Sequence, residues 1–575
     1  MVTRPASPVM GLSLKPGKKL RLRFDIWNLG TIVIAVLASV PIVTVIAMAV
    51  IPNAAVGDIW RHLISTVLFN YTVTTLGLML GVGAGTLVIG TGTAWLVTMC
   101  RFPGRRIFEW ALLLPMAVPA YVIAYIYTDT LEYSGPVQSI LRSWFGWSSG
   151  ADYWFPEIRS LSGAVAMMTL VLYPYVYLLS RVAFLEQSVC ALEAGRTLGR
   201  GPWRNFFQVA LPLARPAIVI GVTLVLMETL NDFGTVDYFA VSTFTAGIFD
   251  VWLNMNSPSG AAGLASVLLM FVLVLIILER HARRGQRFHH TTGTYKALPG
   301  HRLSRGRGVM ASMACALPVL LGFVLPGAVL VKYALIHYQL TLDAEYAIYT
   351  LNSLTLSVLA AVVAVTIGAF MAYGLRLSGT PVMKALTRVA SLGYAVPGAV
   401  LAIGVMIPTA WLDNLVDGVM TETFGISTGL LLSGTIVALV IAYVVRFLAL
   451  SLGTVEASLA KITPNMDGAA RTLGHGPFSV FKRIHLPIMR GSILTAGILV
   501  FVDCMKELPM TVILRPFNFH TLATFVHEYA SDELLAEASL AALTIVAAGI
   551  LPVIILSLTI TRSRPGYYFI AEAKP

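Results

Sequence analysis

Ala194 to Pro212 reads AGRTLGRGPWRNFFQVALP, and Ala469 to Pro487 reads AARTLGHGPFSVFKRIHLP, so that ten of nineteen positions are identical at an offset of 275. Each copy is a polar, basic island between long apolar runs. An element of that kind belongs at a membrane surface, and this chain presents it twice.

Composition supports the placement. The chain has 575 residues, of which 57% are hydrophobic and only 12% charged, and its mean hydropathy is +0.79. These values lie outside the range of soluble globular domains and within that of polytopic membrane proteins. The formal net charge of +12 comes from short basic clusters between apolar segments, the pattern of membrane topology and not of nucleic-acid binding. Cys100, Cys190, Cys315 and Cys504 stand singly, so neither a disulfide framework nor a zinc site is indicated.

Working outward from the islands, apolar runs near 29–51, 71–99, 109–130, 161–180, 213–232 and 261–279 make six spans, and runs near 309–331, 351–375, 390–412, 428–447, 491–511 and 537–560 make six more. The first run is long enough to cross a bilayer and is read as a retained helix, not a signal peptide. The expected divisions are a cytoplasmic N-terminal tail (1–28), a first repeat (29–280), a basic cytoplasmic linker (281–308), a second repeat (309–561) and a cytoplasmic C-terminal tail (562–575). With residue 1 in the cytoplasm, 34 of the 40 Lys and Arg fall in cytoplasmic segments, Arg446 counted with the second island. The positive-inside rule therefore favours this orientation, with both islands on the cytoplasmic side of the membrane. Ala94-Trp95 aligns with Ala372-Tyr373 and Val118-Pro119 with Val396-Pro397 at an offset of 278, which extends the duplication beyond the islands. Six spans per half give parallel repeats, related by an axis along the membrane normal, with a pathway expected between them. The expected fold class is an all-α polytopic membrane protein with about twelve transmembrane helices in two parallel six-helix repeats.

Each island reads as a short helix, a glycine turn and the start of the next span. Two such cytoplasmic knobs resemble the coupling loops of ABC importer permeases, whose motif is Glu-Ala-Ala, three residues, Gly, and a later Leu-Pro. The first copy matches with Glu193, Ala194, Gly195, Gly199, Leu211 and Pro212; the second matches with Ala469, Ala470, Gly474, Leu486 and Pro487. The second departs from the motif at Gly468, which stands where Glu193 stands in the first, and its nearest acid is Asp467. There is no GxxxxGK[ST] phosphate loop, so ATP is expected on a partner chain and no cofactor on this one.

Three longer stretches, Leu114–Gly146, Met227–Trp252 and Lys506–Leu540, resemble the fused ferric-iron-type permeases of bacterial binding-protein-dependent importers. The resemblance implies the type I ABC importer permease fold, an inner-membrane location, two copies of an ATP-binding subunit, a periplasmic substrate-binding protein and iron(III) as cargo. Related permeases carry thiamine, polyamines, sulfate or phosphonates. A secondary transporter also fits twelve spans in two halves, but it needs no twin docking loops. An enzyme would need a nucleophile or metal cluster, and no ligand spacing or Gly-x-Ser-x-Gly is present.

The candidate translocation path rests on charge. At the island offset Glu228 pairs with Asp503 and Asp232 with Glu507, an acidic quartet expected at i and i+4 along one face of the fifth and eleventh spans. Glu228 lies ~24 Å above Pro212 at ~1.5 Å per residue, inside a hydrocarbon core of ~30 Å, where carboxylates are costly unless they face a cavity or a partner. Hard oxygen ligands suit a cation such as iron(III). The alternative is that the acids end their helices at the water interface, with Lys506 and Asn231 as local partners. Tyr121, Tyr125, Tyr127, Tyr173, Tyr175 and Tyr177 are weaker candidates, since interfacial tyrosine is common.

Overall fold

The computed structural model describes residues 26–50, 61, 63–187, 193, 197–198, 201–283 and 301–562. Within the first repeat the helices include α1 (Ile26–Val50), α2 (Leu68–Met99), α3 (Arg105–Ala111), α4 (Ala120–Leu131), α5 (Leu161–Glu186), α6 (Leu211–Asn231), α7 (Gly234–Tyr238), α8 (Phe244–Phe249) and α9 (Pro258–Arg283), with a further short helix over Pro136–Phe145. The second contains α10 (Arg305–Val319), α11 (Leu325–Thr341), α12 (Ala344–Ser378), α13 (Pro381–Ala390), α14 (Gly398–Phe424), α15 (Ile436–Leu459), α16 (Pro464–Thr472), α17 (Leu486–Met505), α18 (Pro509–Leu514), α19 (Leu522–Ser531) and α20 (Leu535–Arg562).

Among the described residues eleven helices are long and apolar enough to cross a membrane, and the bent pair Arg105–Ala117 with Ala120–Phe145 makes twelve. The bend of 89° falls at Val118-Pro119, both extended, because proline carries no N–H for a continuing helix and disfavours helical geometry in the residue before it. Val396-Pro397 makes the same extended break ahead of α14. Apolar side chains such as Leu80, Val88, Leu335 and Leu494 point out of the bundle, as a lipid-facing belt requires.

The duplication is visible in the packing. In each half the second span lies along the fourth (α2 on α5, α12 on α15), and the fifth packs against both (α6 and α17). Small residues set the closest approach. A Cβ on Gly90 would lie 2.7–2.9 Å from Val176, Tyr177 and the Tyr173 carbonyl, and one on Gly368 would lie 2.6–3.2 Å from Ser451 and Leu452. Glycine therefore lets the backbones meet at matching depths in the two repeats. The halves also interlock: α1 packs on α12, α13 and α14 of the second half, while Tyr127 donates to the Leu321 carbonyl (2.8 Å) and Tyr333 to Asp129 (2.6 Å).

Each island joins its span through one turn of π-helix, Phe206–Ala210 before α6 and Phe481–His485 before α17. With those turns the helices run almost continuously over Trp203–Asn231 and Pro477–Met505. Beyond α6 and α17 the chain breaks into the short helices α7 and α18. Those breaks bring the acids to the middle of the molecule.

Candidate functional site

The islands come first, because they set the direction of the spans that follow. In the second, Asp467 on α16 accepts from Arg376 Nε at the end of α12 (3.0 Å) and from His485 Nε2 in the π turn (2.7 Å). Arg376 also donates to the Leu459 and Ile462 carbonyls, so one guanidinium pins the island to the membrane helices. Burial pushes the Asp467 carboxyl up, but the bonds and charges of Arg376 and His485 outweigh it and hold it below the ordinary carboxylate range. Asp467 is thus turned inward, and the position matching Glu193, Gly468, faces open space. Glu193 itself is exposed.

Aromatic contacts anchor both islands alike. Trp95 packs on Phe206 with centroids 4.7 Å apart, and Tyr373 packs on Phe481 at 4.9 Å; Tyr373 also donates to the Pro477 carbonyl (2.7 Å). The outward surfaces match too. Leu198 and Trp203 are 76% and 70% exposed, and Leu473 and Phe478 are 78% and 67% exposed. Gly474, at φ +81°, makes the turn between them. Ala469 is exposed and Ala470 buried on α16, and Leu211-Pro212 and Leu486-Pro487 open α6 and α17. Ala194, Gly195 and Gly199 lie outside the described residues, as do His289 and His290 of the linker.

At the far ends of α6 and α17, a cavity of ≈ 90 Å³ between the repeats is lined by Glu228, Asp232, Glu507, Lys506, Tyr121 and Tyr175 among others. Three of the four expected acids meet there. The fourth, Asp503, is held by Lys506 at 2.8 Å. The expectation of i and i+4 acids along one helix face needs correcting: α6 ends at Asn231 and α17 at Met505, so each pair straddles a helix terminus. Asp232 accepts from the Thr235 N–H (3.0 Å) and hydroxyl (3.1 Å), which ties the broken strand of chain to α7. A second, larger cavity of ≈ 840 Å³ is lined by Met227, Glu279, Lys384, Arg388 and Glu456 and reaches the island-side ends of α9 and α15. Met227 and its neighbour Glu228 therefore stand between the two spaces.

A cation that the sequence reading placed at the membrane surface sits beside the inner cavity. Arg446, counted above with a cytoplasmic cluster, lies within α15 with its side chain 3% exposed, 3.9 Å from Glu228 and 3.8 Å from Glu507. It donates to Asn231 Oδ1 (2.9 Å) and the Val396 carbonyl (3.2 Å). Of the tyrosines, Tyr121 and Tyr175 face the acids, and the buried Tyr121 hydroxyl has no hydrogen-bond partner among the described residues. Tyr125 bonds His527 Nδ1 (2.6 Å), and Tyr177 donates to the Glu109 carbonyl (3.0 Å). Asp417, unassigned from sequence, captures the N–H groups of Thr428 and Gly429 (2.7 and 3.1 Å) and shapes a surface loop. Among the described residues no three or more His, Cys, Asp or Glu are placed to hold a metal ion. The cavity is lined by carboxylate and phenol side chains.

The family profile described as "Binding-protein-dependent transport system inner membrane component" matches residues 86–287. The chain is 26% identical to the Fe(3+)-transport system permease protein FbpB 2 of Haemophilus influenzae over 487 residues, covering 84% of this chain and 88% of that one. It is 27% identical over 204 residues to the molybdenum transport system permease protein ModB of Escherichia coli, covering 34% of this chain and 86% of the relative. The sulfate transport system permease protein CysT of Escherichia coli is 29% identical over 194 residues, 33% of this chain and 67% of the relative. With eleven or twelve apolar crossings among the described residues, twin islands, and a stretch that matches the inner-membrane components of binding-protein-dependent transport systems, the chain is a multi-pass permease subunit of a binding-protein-dependent ABC transporter.

Proposed function

We propose that this permease imports iron(III) handed over by a periplasmic binding protein on the face opposite the islands. Two copies of an ATPase subunit, which carry the ATP, dock from the cytoplasm on Leu198, Trp203 and Glu193 of one island and Leu473 and Phe478 of the other. In this reading both termini are cytoplasmic, 29–280 and 309–561 are the two permease repeats, and 281–308 joins them across the cytoplasmic face.

The observation that carries the reading is the cavity between the repeats, where Glu228, Asp232 and Glu507 converge with the Tyr121 hydroxyl. Carboxylate and phenol oxygens are the donors a hard trivalent cation prefers. Similarity over most of both chains to an Fe(3+)-system permease supports the same cargo. A second reading, an oxyanion cargo, is favoured by Lys506 on the cavity wall, by Arg446 beside it, and by the molybdenum- and sulfate-system relatives.

The test is reconstitution of the permease with its ATPase and binding protein in proteoliposomes. ATP-dependent uptake of radioactive iron(III), reduced in the Glu228→Gln, Asp503→Asn double variant while ATPase coupling persists, is the expected result. Uptake of molybdate or sulfate in place of iron would install the second reading, and proton-driven uptake by this chain alone would remove both.

A further inference from the structure

The quartet of acids obeys the pseudo-symmetry of the repeats, but the guanidinium beside it does not. At the island offset the first-half counterpart of Arg446 is Val171, which lines the same cavity. One buried cation therefore serves acids from both halves: Glu228 from the first and Glu507 from the second.

The distances separate two kinds of contact. The hydrogen bonds of Arg446 go to neutral acceptors, Asn231 Oδ1 in the first half and the Val396 carbonyl in the second, and Asn231 Oδ1 also receives the Gly398 N–H (2.6 Å) across the same boundary. Its approaches to the carboxylates, 3.9 and 3.8 Å, are too long for hydrogen bonds, and among the described residues its Nε–H has no acceptor. The guanidinium is thus positioned by neutral carbonyl oxygens and not by the carboxylates it faces. It supplies Glu228 and Glu507 with charge without taking a hydrogen bond to either carboxylate, although Glu507 Oε1 accepts from the Met510 N–H (3.4 Å). In a buried site that compensation matters, because carboxylates without it are strongly disfavoured.

We propose that Arg446 is a tethered counter-cation: it clasps the two repeats in the closed state by neutralising Glu228 and Glu507, and a cation in transit takes over those carboxylates as the clasp opens. Arg446 is a positioning residue, acting through the acids and not on the cargo. This rests on the reading that the cavity belongs to a cation pathway.

The experiment uses the complete reconstituted importer and reads ATP hydrolysis without binding protein or cargo. Arg446→Gln removes the charge that holds the closed state, so basal hydrolysis is expected to rise roughly tenfold. Adding Glu228→Gln to Arg446→Gln removes the uncompensated acid and should return hydrolysis toward the wild-type rate, a non-additive cycle. Arg446→Lys, which keeps the charge but loses the planar fork, should fall between. Co-purification of the ATPase with each variant establishes that the assembly is intact. Unchanged basal hydrolysis in an intact Arg446→Gln importer, or strict additivity with Glu228→Gln, overturns the clasp. Since this readout contains no cargo, wild-type iron(III) uptake tests the cargo assignment separately.

Discussion

Replacing Asp467 by Ala removes the acceptor that holds the second island against its own membrane helices. The carboxylate takes one bond from Arg376 at 3.0 Å and one from His485 at 2.7 Å, and its side chain is 17% exposed. Hydrogen bonds to charged groups contribute about 1.5–3 kcal/mol each, and partial solvation together with the two carbonyl bonds that Arg376 keeps brings the local loss to about 2–3 kcal/mol. Backbone amides of α16 should then exchange hydrogen roughly 30- to 150-fold faster than in the unaltered protein. Spans such as α12 and α15, whose packing is untouched, should keep their protection. Transport per ATP should fall, because a loosened island absorbs motion it ought to transmit. Unchanged exchange in α16 of a well-folded Asp467→Ala permease would show that Asp467 does not anchor the island.

Three further outcomes follow from other parts of the molecule. Gly468→Glu restores to the second island the carboxylate that Glu193 gives the first; a side chain there enters open space, so stability should hold or rise by about 1 kcal/mol and binding of the ATPase should tighten, as measured by pull-down, whereas Glu193→Gln should weaken it. His527 lies between the halves with its pKa pushed down to about 4, chiefly by burial, with Arg515 adding to the shift and Glu528 opposing it. A base depressed in the folded state contributes stability that is complete above its unfolded value of about 6.5 and is lost as the pH falls toward 4, so thermal stability should decline over that window and His527→Gln should flatten the decline. Gly368→Val drives side-chain atoms into Ser451 and Leu452 and should cost about 1–3 kcal/mol by overpacking, visible as a lower unfolding temperature in detergent.

Much of the architecture could be read from the chain because its signals are local. Apolar runs announce spans and the repeated islands fix how the halves correspond, whereas the runs near 109–130 and 390–412 pass through Pro119 and Pro397 without marking the breaks there. The site was only half legible for the opposite reason. Arg446 meets Asn231 across 215 positions, and Arg376 meets Asp467 across 91; nothing in the neighbourhood of either arginine names its partner. Counting Arg446 among surface charges followed from treating basic residues as topology markers, a rule that holds for loops and fails for a cation buried opposite acids. The acids were found, yet their shared helix face was not, since the end of α6 is set by Asp232 bonding forward to Thr235, a choice the surrounding apolar sequence does not force.

The near-continuous helices that carry each island into the membrane can be treated as rods hinged at their π turns. From Leu211 to Glu228 the rod is ~26 Å long at ~1.5 Å per residue. Tilting it by roughly 10° sweeps its far end through about 4–5 Å, more than the 3.9 Å that now separates Glu228 from Arg446. A rotation of that size about the π turn is therefore enough to part Glu228 from Arg446. If the proposed ATPase docks on the islands, it need only rock two levers.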